Sequence, residues 1–171
     1  MNRWDVVEAL IKGNLWTRGA ELGVFKGETF FHLLDACPTL TLIGVDRWER
    51  TVGPKQDRET GFASYADHPM EAYASEVSMR AVRYGSRAVI IRGDTVMAAR
   101  SIADVSLDFV FVDASHDTES VKADVRSWRP KIRGGGLLIG HDINWPSVRR
   151  ALTQLGMDWA EHQANIWYHR P

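Results

Sequence analysis

A single cysteine, Cys37, leaves nothing with which to build an internal disulfide or a thiolate zinc cluster, and its isolation fits a reducing compartment. Charge of one sign is not in excess. Lys and Arg number 21 against 22 Asp and Glu, a formal net charge of -1, and no block of like charge stands out. A nucleic acid or an anionic membrane, each bound through a cationic face, is therefore not the expected partner, and a small molecule is. Long apolar runs are also missing. None approaches the roughly 20 residues needed to cross a bilayer, and the opening MNRWDVVEALIKGNLW lacks the continuous apolar stretch of a secretory signal. A cytoplasmic location follows as the expectation. Homo-oligomerisation is left open. The dinucleotide fingerprint G-x-G-x-x-G is absent as well, which speaks against a nucleotide-dependent oxidoreductase.

What remains is ordinary globular material: 171 residues, 44% hydrophobic and 25% charged, enough for one domain with a full core over 1–171. No internal repeat or low-complexity segment interrupts it. DVVEALIKG predicts a first helix with Val7, Leu10 and Ile11 on one side, ended by Gly13. Strand TRGAELGVF, helix GETFFHLLDAC and strand TLTLIGVDRW follow, the helix turning Phe30, Leu33 and Leu34 inward. Residues 49–69 are polar, without a clean period, and contain two glycines and two prolines; they predict a lid-like loop. Beyond it come helix MEAYASEVSMRAVRYG, strand AVIIRGD, a short helix near VMAARSIA, strand LDFVFVD, helix TESVKADVRSW, strand GGGLLIGHD and helix PSVRRALTQLG. The tail WAEHQANIWYH predicts a last pair of short strands. Strand and helix alternate five times, the signature of a mostly parallel α/β sheet with helices on both faces; runs such as FVFV suit strands buried on both sides.

Open sheets of this kind bind ligands just outside the carboxyl ends of their strands, so the chemistry is expected at the strand ends. In AELGVFKGETF, Gly23 and Gly27 bracket the first strand-to-helix bend, where glycine allows backbone to approach a ligand closely; two such glycines can equally shape a tight turn. Asp46 closes the second strand, 23 residues after Gly23, where an acid can accept from both ribose hydroxyls of an adenosine group; the alternative is a turn cap or a pair with Arg47 or Arg50. Trp48 is placed to stack on an adenine or to fill the core. Gly93-Asp94 closes the third strand, with Asp94 either meeting an adenine amino group or capping the following helix, roles that do not exclude each other. The stretch LDFVFVDASHDTESVKADV crowds Asp113, His116 and Asp117 onto one turn. His32, His68, His162 and His169 carry no such context.

Together these strand ends resemble the class I S-adenosylmethionine-dependent methyltransferases. The first turn has the family's E-x-G-x-x-x-G form in Glu21, Gly23 and Gly27, Asp46 matches its ribose-binding acid, and Gly93-Asp94 its adenine-contacting position. The 33-residue stretch FVDASHDTESVKADVRSWRPKIRGGGLLIGHDI is similar to a small bacterial subgroup in which strand four ends in Asp-x-x-His and strand five, after a Gly-Gly pair, in His-Asp. The resemblance covers residues 17–145 and implies a Rossmann-like, seven-stranded sheet of order 3-2-1-4-5-7-6. It also implies that Glu21, Gly23, Val24, Phe25, Gly27, Asp46, Arg47, Trp48, Gly93, Asp94 and Asp113 surround S-adenosylmethionine. The chain departs from the family where the common middle glycine of the first turn is replaced by Phe25.

By the same resemblance, Asp113 lies near the sulfonium and the methionine amino group as well as the acceptor. Asp142 should converge on it from the next strand. With His141, and with His116 beside them, they form a candidate O,O,N set for a divalent cation such as Mg²⁺ or Mn²⁺. Metal-dependent family members such as catechol O-methyltransferase hold the acceptor hydroxyl and lower its pKa with such an ion. Ile143 stands where that enzyme has an amide ligand, so Asn144 or His141 would complete the site. Asp113, His116 and His141 are the candidate catalytic residues. His116 has three readings: metal ligand, general base with an ordinary pKa near ~6.5, or a residue that caps or orients the helix start. The expected activity is O-methylation of a small-molecule or sugar-like hydroxyl, because a hydroxyl nucleophile needs the base or metal that an amine or thiol does not. A SAM-binding module without catalysis is the other class.

Overall fold

The computed structural model describes residues 1–49, 57, 59–61 and 67–171. Strands β1 (Arg18–Leu22), β2 (Thr41–Asp46), β3 (Ala88–Arg92), β4 (Leu107–Val112), β5 (Ile132–Gly140), β6 (Ala160–His162) and β7 (Ile166–His169) form one sheet in the order β3-β2-β1-β4-β5-β7-β6. The first five strands are parallel, and β7 runs antiparallel to β5 and β6. This is the expected Rossmann-like architecture, with the tail folded as the expected hairpin.

The alternation of side chains along each strand divides the core in two. Helices α1 (Arg3–Asn14), α2 (Glu28–Ala36) and α3 (Met70–Ala81) cover one face, where Val7, Ile11, Phe30, Phe31, Leu34 and Val77 meet Phe109 and Phe111 of β4. Helices α4 (Thr95–Ala99), α5 (Thr118–Trp128) and α6 (Pro146–Gln154) cover the other, where Val121, Val125, Trp128 and Leu152 meet Ala20, Leu22, Val110 and Val112. The FVFV run is apolar throughout because it feeds both layers. At the amino ends of the strands, buried Asp108 accepts from the backbone N–H groups of Thr17 (2.7 Å) and Arg18 (2.8 Å) and pairs with Arg133, joining β1, β4 and β5.

Two helix ends differ from expectation. Gly13 does not stop α1: the helix runs to Asn14, whose side chain bonds the Leu10 carbonyl, and Leu15 takes the left-handed capping conformation (φ 55°). A Cβ on Gly13 would meet nothing within 4 Å, so the residue is merely tolerated in the last turn. Helix α3 ends at Ala81, and Val82–Arg87 continue as 3-10 turns broken at Gly85 (φ 57°). Most of the expected lid, with its candidate acceptor contacts Lys55, Arg58, Phe62 and Tyr65, lies outside the described residues. Its described part touches the strand ends: a Cβ on Gly61 would come within 2.2 Å of the His116 carbonyl oxygen, and Glu59 pairs with Arg150 of α6.

The parallel register brings the strand ends level. Leu22 pairs with both Val45 and Val112, Asp46 with Arg92, and Val112 with Gly140. The residues that follow, Gly23, Gly93, Asp113 and His141, therefore leave the sheet along one edge together with Asp46.

Candidate active site

A cleft of about 620 Å³ opens along that edge, lined in part by Gly23, Phe25, Asp46, Asp94, Asp113 and His116. Its floor is set by backbone geometry. Gly23 has φ 88°, and a Cβ there would lie 2.2 Å from the Asp113 carbonyl oxygen; Gly27 has φ 77°, and its Cβ would lie 2.6 Å from the Phe31 ring. Both glycines are thus required by protein packing, whatever they also offer a ligand. Phe25 takes a left-handed conformation (φ 51°) where the family has glycine, and its ring packs edge-on against His68 and Tyr73. Val24 is buried in the core and contributes backbone to the turn, its carbonyl accepting from Gly27 N–H at 2.8 Å.

Asp46 is held by the turn it faces. One carboxylate oxygen accepts from Phe25 N–H at 2.8 Å and the other from Trp48 N–H at 2.7 Å. Asp46 thus caps the turn, and each carboxylate oxygen keeps a lone pair for the cleft. Of the two places expected for Trp48 the structure has the core: the side chain is buried, and its indole N–H donates to the Phe25 carbonyl at 2.7 Å. The physical reason is that the left-handed Trp48 backbone (φ 48°) turns the ring back under the first turn. Arg47 pairs with Asp94 rather than Asp46, and Arg50 lies outside the described residues. Asp94 caps α4, accepting from Met97 N–H at 2.9 Å, and lines the cleft as well; the Gly93 N–H bonds the Asp46 carbonyl at 2.8 Å.

The remaining acids and histidines gather around Asp113 and His116, which line the cleft. Asp113 straddles two neighbourhoods: Oδ2 lies 3.1 Å from Arg3 Nε and Oδ1 3.5 Å from His141 Nδ1. His141 Nδ1 is also 3.1 Å from Asp142 Oδ2, and Asp142 Oδ2 is 2.7 Å from His116 Nε2. Burial disfavours a charge on His141, but its hydrogen bonds to the Asp113 and Asp142 carboxylates override that and push its pKa up to about 9. Burial likewise opposes ionisation of Asp142, and the two adjacent histidines overcome it, holding the carboxyl well below its ordinary range. The contact of His116 Nε2 lacks hydrogen-bond alignment, and Nδ1 has no hydrogen-bond partner among the described residues. Its ring stacks on Trp145 at 4.5 Å. The helix cap of α5 is Asp117, which accepts from Ser120 N–H at 2.9 Å, so capping is not the task of His116. Asn144 is exposed and outside this cluster, which consists of Asp113, His141 and Asp142 with one ligand atom of each within 4.8 Å of the others. His32 instead pairs with Glu8, and buried His169 meets the Asp158 carbonyl at 2.6 Å. Beneath Asp113, Glu21 is buried; burial first, and the Asp113 charge second, raise its carboxyl well above the ordinary 4.5.

Three residues at the site carry no label in the sequence motifs: Arg3, Trp145 and Asp124. Asp124 was the most accessible to sequence reasoning, since it occupies the inward stripe Val121, Asp124, Val125, Trp128 of α5. It lines the cleft, is buried, and accepts from the Thr95 hydroxyl. Burial pushes its carboxyl up from 3.8 to about 6. Between those values the unfolded chain ionises Asp124 while the fold still resists, so this residue lowers stability as pH rises from about 4 to about 6, by on the order of 3 kcal/mol. Asp124→Asn keeps an acceptor for Thr95 and removes the charge. Denaturant titrations should find the variant more stable than the parent at pH 8, with the difference vanishing near pH 4; equal stability at both pH values would refute the assignment.

Residues 20–143 match the family profile described as "Methyltransferase domain". The chain belongs to this methyltransferase family. A curated relative, the uncharacterized protein y4gI of Sinorhizobium fredii, is 27% identical over 152 residues, which are 84% of this chain and 15% of that protein. The methyltransferase domain therefore spans only a small part of the length of that relative. Among solved structures, the O-methyltransferase TomG of Streptomyces achromogenes, in complex with SAM, superposes with a TM-score of 0.65 at 14% identity, covering 98% of this chain and 79% of that one. The SAH-bound methyltransferase PaMTH1 of Podospora anserina gives 0.69 at 11% identity, covering 98% and 77%. CalS11, a TDP-rhamnose 3'-O-methyltransferase of calicheamicin biosynthesis, gives 0.66 at 19% identity, covering 98% and 77%. These likenesses are of fold, and the fold is that of the class I methyltransferases.

Proposed function

We propose that this domain transfers the methyl group of S-adenosylmethionine to a hydroxyl of a small-molecule or sugar-like acceptor, with a divalent cation at Asp113, His141 and Asp142. The observation that carries the reading is the division of labour across Asp113. One of its oxygens pairs with Arg3 of α1 at 3.1 Å, and the other lies 3.5 Å from His141, which also pairs with Asp142. A donor and an acceptor site meeting at one carboxylate is what methyl transfer requires, since alignment of nucleophile, methyl and leaving group supplies much of the rate.

S-adenosylmethionine supplies a methyl group already activated by its positive sulfur. Asp46 receives the ribose hydroxyls, Asp94 the adenine amino group, and the turn from Gly23 to Gly27 shapes the path between them. Two oxygens and one imidazole nitrogen suit a hard divalent ion; His141 must give up its proton for Nδ1 to join them. Such an ion would supply Lewis acidity toward the acceptor hydroxyl. His116 stands beside this group to receive the hydroxyl proton, its Nε2 2.7 Å from the Asp142 carboxylate. No helix among the described residues is long and apolar enough to cross a membrane.

Isothermal titration calorimetry of S-adenosylhomocysteine, with and without EDTA, tests the reading. Binding in both conditions, with Mg²⁺ or Mn²⁺ binding lost in EDTA, is the expected result. Absence of any S-adenosylhomocysteine binding would overturn it and leave the strand-end acids as caps and turn formers.

A further inference from the structure

Arg3, in the first turn of α1, reaches the strand ends from outside the sheet. Its Nε lies 3.0 Å from Thr29 Oγ1 and 3.1 Å from Asp113 Oδ2, and its Nη2 is 3.9 Å from Glu28 Oε2. The two terminal nitrogens donate no hydrogen bond among the described residues, so the planar fork that suits a carboxylate is unspent. The side chain is 31% exposed, with its guanidinium 5.5 Å from the centre of the Trp4 ring. Below the pair, Glu21 is 2% exposed and its Oε2 has no hydrogen-bond partner among the described residues. A buried carboxyl with an unmet oxygen beside an Arg–Asp pair marks a polar pocket whose hydrogen bonding is incomplete.

An arginine paired with an aspartate presents, in one place, the two complements of a zwitterion. An α-amino acid head group offers an ammonium for the aspartate and a carboxylate for the arginine, exchanging one ion pair for two. We infer that Arg3 is the anchor for the carboxylate of the amino-acid half of the donor, and that the donor's ammonium replaces it at Asp113 Oδ2. Arg3 is then a donor-binding residue contributed by the N-terminal helix, and α1 closes the methionine end of the cleft. Asp113 Oδ1 stays with His141 throughout, so the exchange leaves the acceptor side undisturbed. This inference rests on the proposed use of S-adenosylmethionine.

The test compares two ligands on the intact chain. S-adenosylhomocysteine carries the amino-acid group, whereas 5'-methylthioadenosine has the same adenosine and thioether without it. Calorimetry should show Arg3→Gln weakening S-adenosylhomocysteine by about tenfold or more, the loss of a charge-assisted pair of hydrogen bonds, while 5'-methylthioadenosine binds within about twofold of the parent. Unchanged S-adenosylhomocysteine affinity would overturn the inference by showing that Arg3 serves Asp113 alone. Equal weakening of both ligands would overturn it too, because the damage would then be to the fold of the cleft. A parent chain that binds neither ligand would instead remove the donor reading itself, and this inference with it.

Discussion

Asp46→Ala is expected to weaken S-adenosylhomocysteine binding by about a hundredfold or more, because two hydroxyl hydrogen bonds to one ionised acceptor are lost together. The expectation rests on how Asp46 is mounted. Its two oxygens are fixed by Phe25 N–H and Trp48 N–H, so the carboxylate waits in position and binding does not have to order it. Alanine also frees the Phe25 turn, whose left-handed backbone needs such a tether. Asp46→Asn separates the two effects: its single accepting oxygen keeps one of the two backbone bonds, and its affinity should fall between parent and alanine variant. Calorimetry measures both, with thermal melts to report the turn. A dissociation constant unchanged in Asp46→Ala would remove Asp46 from the ligand site and reduce it to a cap.

The layers were legible from periodicity, since an FVFV run suits a strand between two apolar layers and alternating strands and helices suit a parallel sheet covered on both faces, whereas the strand order came only with the family resemblance. The strand-end acids were legible for a related reason, since in a parallel sheet the residue after each strand is delivered to one edge. What could not be read was partnership across the chain. Nothing local in NRWD says that Arg3 will meet Asp113, 110 positions away, because a helix end specifies its own turn and not the side chain opposite. The position of Trp48 after Asp46 left a ligand platform and a core place both open, and nothing local in the sequence marks the positive φ with which it enters the core. The glycine turn left close ligand approach and a tight turn both open, and the packing of Gly23 against Asp113 and of Gly27 against Phe31 is a cause that local sequence does not carry. Within the expected lid, Gly61 packs against the backbone at His116 and Glu59 pairs with Arg150 of α6, partnerships that no local pattern marks.

Asp142→Asn should divide catalysis from donor binding. Asparagine keeps the shape and tolerates the left-handed backbone of this position (φ 57°), so the turn after β5 should survive. The charge that both histidines share is removed, however. His141 loses one of the two carboxylates that hold its proton, the candidate cation loses an anionic ligand, and His116 loses the group that would stabilise its protonated form. O-methyl transfer, once an acceptor is found by screening, is expected to fall by about two to three orders of magnitude, the size associated with losing general-base or metal assistance. S-adenosylhomocysteine should bind within about threefold of the parent, because the donor-side residues Asp46, Asp94 and Arg3 are untouched. Mn²⁺ titration followed by electron paramagnetic resonance gives a readout independent of the acceptor: the parent should bind the ion and the variant should lose most of that binding. Mn²⁺ bound equally by both would place the ion elsewhere. Transfer that survives in the variant would mean that alignment alone carries the reaction, with an acceptor nucleophilic enough to need neither ion nor base.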